Sequence, residues 1–178
     1  MLYIRRLEYE EGVQKAYHNA VDFLESAEIL KNQKPNASTA LAIHAREELG
    51  KAIKLIDEIN RGTDKITEDR WNEKYSEHKS KLRAANIELQ RKIGYKSFER
   101  DGKKWKTQGE GDVANDFTDY DLENKERSYY VDYDFEGGKG WNTPLERDTL
   151  ASPDVFISIA STVKIIVEEK CIQMGIML

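Results

Sequence analysis

The stretch ALAIHAREELGKAIKLIDEIN (residues 40–60) places Leu41, Ala45, Leu49, Ala52, Leu55, Ile56 and Ile59 three or four positions apart. That is the period of an α-helix with one apolar stripe turned to a core. The helix is expected from about Ser38 to Asn60, with Pro35 tolerated at its start and Arg61-Gly62 as a glycine stop. The same period recurs upstream, from Glu10 to Lys31, on Val13, Ala16, Tyr17, Ala20, Leu24, Ala27 and Leu30. KNQKPN (31–36) breaks the two helices apart.

Downstream, Thr67 with Glu68 and Asp69 forms an N-cap followed by acids in the first turn. A third helix is then expected on Trp71, Tyr75, His78, Leu82, Ala85, Leu89 and Ile93, with a packed-seam spacing of four and three. Ser152-Pro153-Asp154 opens a last helix that runs to about Met174 on Phe156, Ile159, Ala160, Val163, Ile166 and Val167. Four amphipathic helices in one chain imply an all-α bundle.

Residues 94–150 interrupt this pattern and are expected to form an irregular insertion that packs on the bundle before the last helix. FERDGKKWK (98–106) sets Asp-Gly between aromatic-containing arms, a β-hairpin signal, and SYYVDYDF (128–135) reads as a strand before the turn-rich GGKGWNTP (137–144). Charge divides the region: residues 79–106 hold ten Lys/Arg and three Asp/Glu, whereas 110–136 hold ten Asp/Glu and two Lys/Arg. The two halves either neutralise each other or form a basic RNA-binding surface masked by an acidic flap.

With 178 residues, 39% of them hydrophobic, the chain is long and apolar enough for one domain over 1–178 with a proper core. A net charge of −5 argues against a generic nucleic-acid coat. Cys171 is the lone cysteine, so no disulfide framework is possible and a core thiol in a reducing compartment is expected. MLYIRRLEYEEG (1–12) carries no signal-peptide core, and the apolar run Val155–Val167 is polar-interrupted and too short for a bilayer span, so a cytoplasmic location without membrane attachment is expected.

Some charged residues fit a plain core poorly. On a wheel of about 100° per residue, Glu48 falls at the edge of the apolar arc of the second helix, with His44 and Lys51 flanking it. Glu47 reads instead as a surface partner of Lys51. A carboxylate within an apolar arc needs a partner, so Glu48 is either an anchor across the bundle or a site residue. His78 lies near the centre of the third stripe, with Lys79 beside it and Lys81 one turn along. A lone histidine there is either a hydrogen-bonded core residue or an acid–base group; adjacent ammonium groups suit phosphate chemistry. The chain has no phosphate-binding glycine loop, no HExxH, no GxSxG and no pair of Glu-x-x-His motifs, and His18, His44 and His78 lack metal-ligand spacing. Neither metal nor cofactor is expected.

The run GVQKAYHNAVDFLESAEIL (12–30), then ALAIHAREELGKAIKL (40–55), SEHKSKL (76–82) and KERSYYVDYDFEGGKGWNTP (125–144) resembles the AbiV family of abortive infection proteins, of the HEPN superfamily. The resemblance covers Gly12 to Pro144. It implies a four- to five-helix bundle that dimerises, and a bacterial antiphage effector that arrests growth or translation on infection. It further implies a phage-encoded trigger and an RNA or ribosome-associated target, reached by metal-independent RNA cleavage. The usual Arg-x4-6-His motif is absent: seven residues separate Arg70 from His78. By position, Glu48, Lys51, His78 and Lys81 are the candidate catalytic set, with Glu48 and Lys51 orienting His78. Lys79 and Arg83 are the candidate RNA contacts. Two alternatives stand beside catalysis. One is a non-catalytic module of phage defence that binds a ribosomal or phage protein through the insertion; the other is a nucleotide-binding or antitoxin-like bundle.

Overall fold

Pro35 occupies the first turn of a 26-residue helix, α2 (Pro35–Asn60), where its missing N–H leaves nothing unsatisfied. The structure, a computed structural model, describes residues 3–5, 8–93, 97–100, 103–106, 112–129, 132–134, 140–142 and 152–178. Helix α1 (Tyr9–Leu30) precedes α2, and the two are joined by a tight turn in which Ser38 Oγ donates to the Ala27 carbonyl at 2.7 Å. Both bury alanines, and a Cβ placed on Gly12 would lie 3.0 Å from Leu55 Cδ1, so their backbones run close together. Gly62, at a φ of 68°, ends α2 as expected.

After α2 the chain forms a short strand, β2 (Lys65–Thr67), antiparallel to β1 (Tyr3–Arg5) with Ile4 opposite Ile66. Thr67 caps the next turn, accepting from the Arg70 N–H at 3.4 Å. The expected continuous third helix is not formed. One α-turn, α3 (Glu68–Trp71), passes into a π-helical turn (Asn72–Ser76), Glu77 is extended, and α4 (His78–Ile93) starts afresh. The cause is tertiary: Tyr75 Oη and Arg70 Nη2 both donate to buried Glu58 of α2, at 3.0 and 2.7 Å, which holds this turn in place. The break rephases α4. Lys81, Leu82, Ala85, Asn86 and Leu89 are its buried residues, while His78 has left the stripe and is exposed.

The hairpin is present: β3 (Ser97–Arg100) pairs antiparallel with β4 (Lys103–Lys106), Phe98 opposite Trp105, the Asp101-Gly102 turn itself lying outside the described residues. What was expected to be irregular next to it contains an 18-residue helix, α5 (Asp112–Tyr129), packed on α2 and α4. Among its described side chains, the buried residues are Thr118, Asp121, Asn124 and Lys125. They recur at helical spacing but are polar, so no apolar period announced them. Of the expected strand 128–135, residues 128–129 end α5, and β5 (Asp132–Asp134) pairs with β6 (Gly140–Asn142); 130–131 and 135 lie outside the described residues. Helix α6 (Pro153–Met174) begins after Ser152 as expected and stops at Gly175, φ 69°.

Among the described residues, five long helices therefore make the bundle, where periodicity alone counted four. Helix α2 is central and packs against α1, α4, α5 and α6. Leu49, Ile53 and Ile56 of α2 join Val13, Leu82, Phe156 and Val163 in one continuous core. Each such fully buried aliphatic side chain contributes about 1.5–3 kcal/mol. Cys171 is in that core, as expected, and burial pushes its thiol up to about 11. Among the described residues, no helix is long and apolar enough to cross a membrane.

Helix α4 is held against α2 at Gly50, where a Cβ would lie 2.0 Å from the Lys81 carbonyl oxygen and 2.7 Å from its carbon. Backbone atoms cannot swing away as a side-chain tip can. Gly50→Ala is therefore expected to destabilise the fold by about 1–3 kcal/mol, the range for overpacking, despite the better helix propensity of alanine. Urea denaturation of both proteins measures this; a more stable Ala variant would mean that the two helices are not in contact there.

Candidate functional site

One turn before Gly50, α2 turns two consecutive charged residues inward, Arg46 and Glu47. Glu47 is 2% exposed, so the expectation of a surface charge is corrected: it is the buried carboxylate of this segment. Glu48 is only partly buried and binds Lys51, with the Nζ at 2.8 Å from each carboxylate oxygen. A wheel with one apolar arc misplaces the two because α2 is covered on several sides, and Glu47 faces α4 and α5.

Glu47 gathers three cationic or protonatable groups. His78 Nδ1 lies 2.7 Å from Oε2 and Lys125 Nζ donates to Oε1 at 2.7 Å. His44 Nδ1 is 3.5 Å from Oε2. Burial alone would push this carboxyl up, but hydrogen bonds from His44, Lys125 and His78 outweigh it and hold the group at about 2. The 2.7 Å approach of a ring nitrogen to a carboxylate oxygen requires the proton on Nδ1, since two acceptors would repel at that distance. Lys125 Nζ, 3.2 Å from the same Nδ1, is then a second donor sharing the carboxylate. The His78 side chain is 58% exposed. With Nδ1 bound inward, Nε2 is the nitrogen left for proton transfer, so it is Glu47, and not Glu48, that orients this histidine.

Beneath this cluster lies a second, fully buried one. Arg46, 1% exposed, forms an ion pair with Asp121 of α5. Asn86 of α4 donates to Asp121 Oδ2 and Thr118 Oγ1, each at 3.1 Å. Burial lowers the Arg46 guanidinium to about 9, a shift the nearby Glu47 carboxylate opposes, and it stays charged at neutral pH. These contacts and the Lys125–Glu47 bond fasten α5 to the bundle through charge.

The remaining sequence candidates are distributed around this centre. Lys81 is 6% exposed and close enough to Glu47, Glu48, Lys51 and Lys125 to feel all four charges. Lys79 forms an exposed ion pair with Asp119 of α5 at 2.8 Å, joining the basic and acidic halves of the region. Arg83 is on the order of 140° around α4 from His78. It lines a separate cleft of about 310 Å³ with Lys54, Asp57, Arg61 and Ser80. Arg70, separated from His78 by seven residues, belongs to Glu58 and not to this site. Among the described residues, no His, Cys, Asp and Glu group could hold a metal ion.

Lys125, Arg46, Asp121 and Asn86 were not anticipated. Lys125 had one legible trace, a lone lysine in an acidic run, four residues after Asp121. Arg46 had none, because the covering helix α5 was not foreseen.

A central helix whose buried Arg-Glu pair is covered by two further helices defines an all-α bundle with a charged site built into its interior. A family model described as AbiV (HEPN_AbiV) matches residues 8–165, and the chain belongs to that family, that of abortive-infection proteins in phage defence. No curated protein and no solved structure matches it.

The low Glu47 value makes stability pH-dependent with a definite sign. A carboxyl held below its ordinary 4.5 contributes stability that is complete above pH 4.5 and is lost as pH falls toward 2. Glu47→Gln should be less stable than the parent at pH 5, and the difference should narrow steadily as pH falls to about 2. Urea denaturation across that range tests it; a constant difference would mean that Glu47 is not ionised in the folded protein.

Proposed function

We propose that this protein is an abortive-infection effector that arrests growth by cleaving RNA of the translation apparatus, with His78 as its acid–base group. The observation that carries the reading is the 2.7 Å bond between His78 Nδ1 and buried Glu47 beside an exposed imidazole. A carboxylate behind a histidine fixes its tautomer and stabilises the imidazolium formed when Nε2 takes a proton. In the proposed reaction, Nε2 removes the proton of a ribose 2′-OH. That oxygen attacks the adjacent phosphorus, the P–O5′ bond breaks, and the 5′-oxygen leaves with a proton from water, giving a 2′,3′-cyclic phosphate. Lysines take the part that the absent Arg-x4-6-His arginine would play. Lys51 is a reserve cation held by Glu48, Lys79 is proposed to contact the RNA backbone beside His78, and Arg83, in its separate cleft, is proposed to contact RNA that continues past α4.

On this reading the chain acts as a homodimer in the cytoplasm and responds to a phage-encoded protein. What supports the dimer is an apolar groove of about 630 Å³ between α1 and α6, lined by Val21, Leu24, Ile157 and Ile165. Ile29 at its rim is 75% exposed. Replacing Ile29 and Ile165 together by Lys should yield a monomer in analytical ultracentrifugation; an unchanged mass would place any dimer contact elsewhere.

In cells exposed to the trigger, His78→Gln should abolish growth arrest and RNA cleavage, a fall of about 10²–10⁴-fold. Its melting temperature should stay within a few degrees of the parent, because the ring is solvent-facing. Mapping RNA ends after induction is the direct measurement. Full toxicity in the His78 variant would remove the catalytic reading and favour a protein-binding role for the 94–150 region.

A further inference from the structure

Helix α2 carries four acids, and three of them are bonded to side-chain cations: Glu47 to Lys125, Glu48 to Lys51 and Glu58 to Arg70. Asp57 is the exception. It is half-buried and its carboxylate forms no hydrogen bond or ion pair among the described residues, while its oxygens stay open to solvent. The cations around it are engaged elsewhere: Arg61 lies 3.3 Å from Glu58, and Arg91 and Lys170 lie 2.6 and 3.1 Å from Glu88. They still act on it at range. Burial pushes the Asp57 carboxyl up; Lys170, Arg61 and Arg91 oppose this, favouring the charged form, and Glu88 adds to it.

Asp57 lines the cleft of about 310 Å³ between α2 and α4. That volume is at the lower end of the range, about 300–1,000 Å³, that holds small ligands. Ile53, Ala84 and Ile87 supply an apolar wall, and Lys54, one turn before Asp57, lines the cleft beside the acid. Lys54 donates to the Lys74 carbonyl and to Ser80 Oγ, which leaves one of its three N–H donors. Burial lowers its ammonium to about 8, so it is largely charged at neutral pH. The cleft thus offers an apolar side to a flat ring and, along α2, two acceptor oxygens next to a cationic donor.

We infer that this cleft is a pocket for one guanine base, whose N1–H and N2–H₂ donate to the two Asp57 oxygens while Lys54 donates to O6. The other bases do not match. Adenine and cytosine set a ring acceptor beside their one amino group, and uracil flanks its single N–H with carbonyl oxygens, so none offers two adjacent donors. Bases splayed out of single-stranded RNA are read in this way, on their hydrogen-bonding edges. The inference rests on the reading of RNA as the target and deepens it by naming the base that is held. Guanine is also the base of a free nucleotide, and the test separates the two sources.

The test uses the full chain and calorimetry at neutral pH, with guanosine monophosphate as probe and the adenosine, cytidine, uridine and inosine monophosphates as references. The parent should bind the guanine nucleotide in the millimolar range or tighter. The inosine nucleotide, which lacks the N2 amino group, should bind at least about tenfold more weakly. Asp57→Asn keeps the shape of the side chain but sets an amide donor beside one acceptor. It should weaken guanine binding at least about tenfold and prefer xanthosine monophosphate, whose O2 accepts where guanine donates. A merely structural Asp57 would not exchange one base for the other.

The inference is overturned if the parent binds no guanosine monophosphate through the millimolar range. It is equally overturned if all the monophosphates bind alike, or if Asp57→Asn binds the guanine nucleotide like the parent. RNA ends mapped after induction identify the source of the base. Ends at a fixed offset from a guanine, with the offset lost in Asp57→Asn, support the pocket as a reader of the RNA. Guanine-selective binding without such an offset supports it as a site for a free nucleotide. Its fate separates from that of the catalytic reading. Guanine binding that depends on Asp57, with His78→Gln still toxic, supports the pocket and removes the catalyst. Inactive His78→Gln with no guanine binding by the parent overturns the pocket alone.

Discussion

Helix α4 reaches α2 at Gly50 with no Cβ between them, the Lys81 carbonyl standing where that atom would be. Everything assigned to the site follows from this approach. The residue that meets Gly50 lies one turn after His78, so the histidine is carried to Glu47, one turn before Gly50 on the facing helix. Were the helices held apart by a methyl group, a bond of 2.7 Å between ring and carboxylate would not survive at that length. Lys81 is the point of contact.

Helix α2 carries two buried carboxylates, Glu47 and Glu58, eleven residues or about three turns apart and turned to the same side. Their surroundings give them different work. Glu58 accepts from Thr63 at 2.5 Å and from Tyr75, Arg70 and Arg61. Burial would raise its carboxyl, but these partners lower it, and burial next to Glu58 in turn raises the Tyr75 phenol. Most of its bonds come from the segment between α2 and α4, so Glu58 acts as an anchor. Glu47 also fixes neighbouring elements, yet one of its partners is a half-exposed imidazole with a second nitrogen free to act. One helix face thus holds the frame with one acid and orients an exposed imidazole with the other.

The attachment of α5 differs in kind from the rest of the bundle. Helices α1, α2 and α6 meet through alanine, leucine, isoleucine and valine, whereas the fully buried residues of α5, among its described side chains, are Thr118, Asp121, Asn124 and Lys125, with Tyr120 and Leu122 packed partly buried on the core. Charges buried in pairs add little net stability, because their attraction is largely spent on desolvation. They are exacting about position, however: Arg46 without Asp121 would lose its ion-pair partner, and Glu47 without Lys125 would keep only its histidines. This interface therefore specifies where α5 sits more than it stabilises the fold.

The apolar period, the caps and the glycine stops were enough to determine α1, α2 and α6 within a few residues, and the Asp-Gly pair was enough for the β3–β4 hairpin. The same stretches, read together, carried the family, and the oddity of a histidine followed by lysines was visible without any structure. Three things were decided only in three dimensions. A helical wheel assumes one buried side, but α2 is enclosed by four helices, so Glu47 and not Glu48 proved to be the buried acid. Helix α5 buries polar residues, whose period carries no hydrophobic signal, so its Lys125 could not be assigned to Glu47. The break at Glu77 is imposed by the ties of Arg70 and Tyr75 to Glu58, contacts between residues at least twelve positions apart that no local pattern encodes. Local sequence set which segments become helices; the packing of one helix against four set which charges meet.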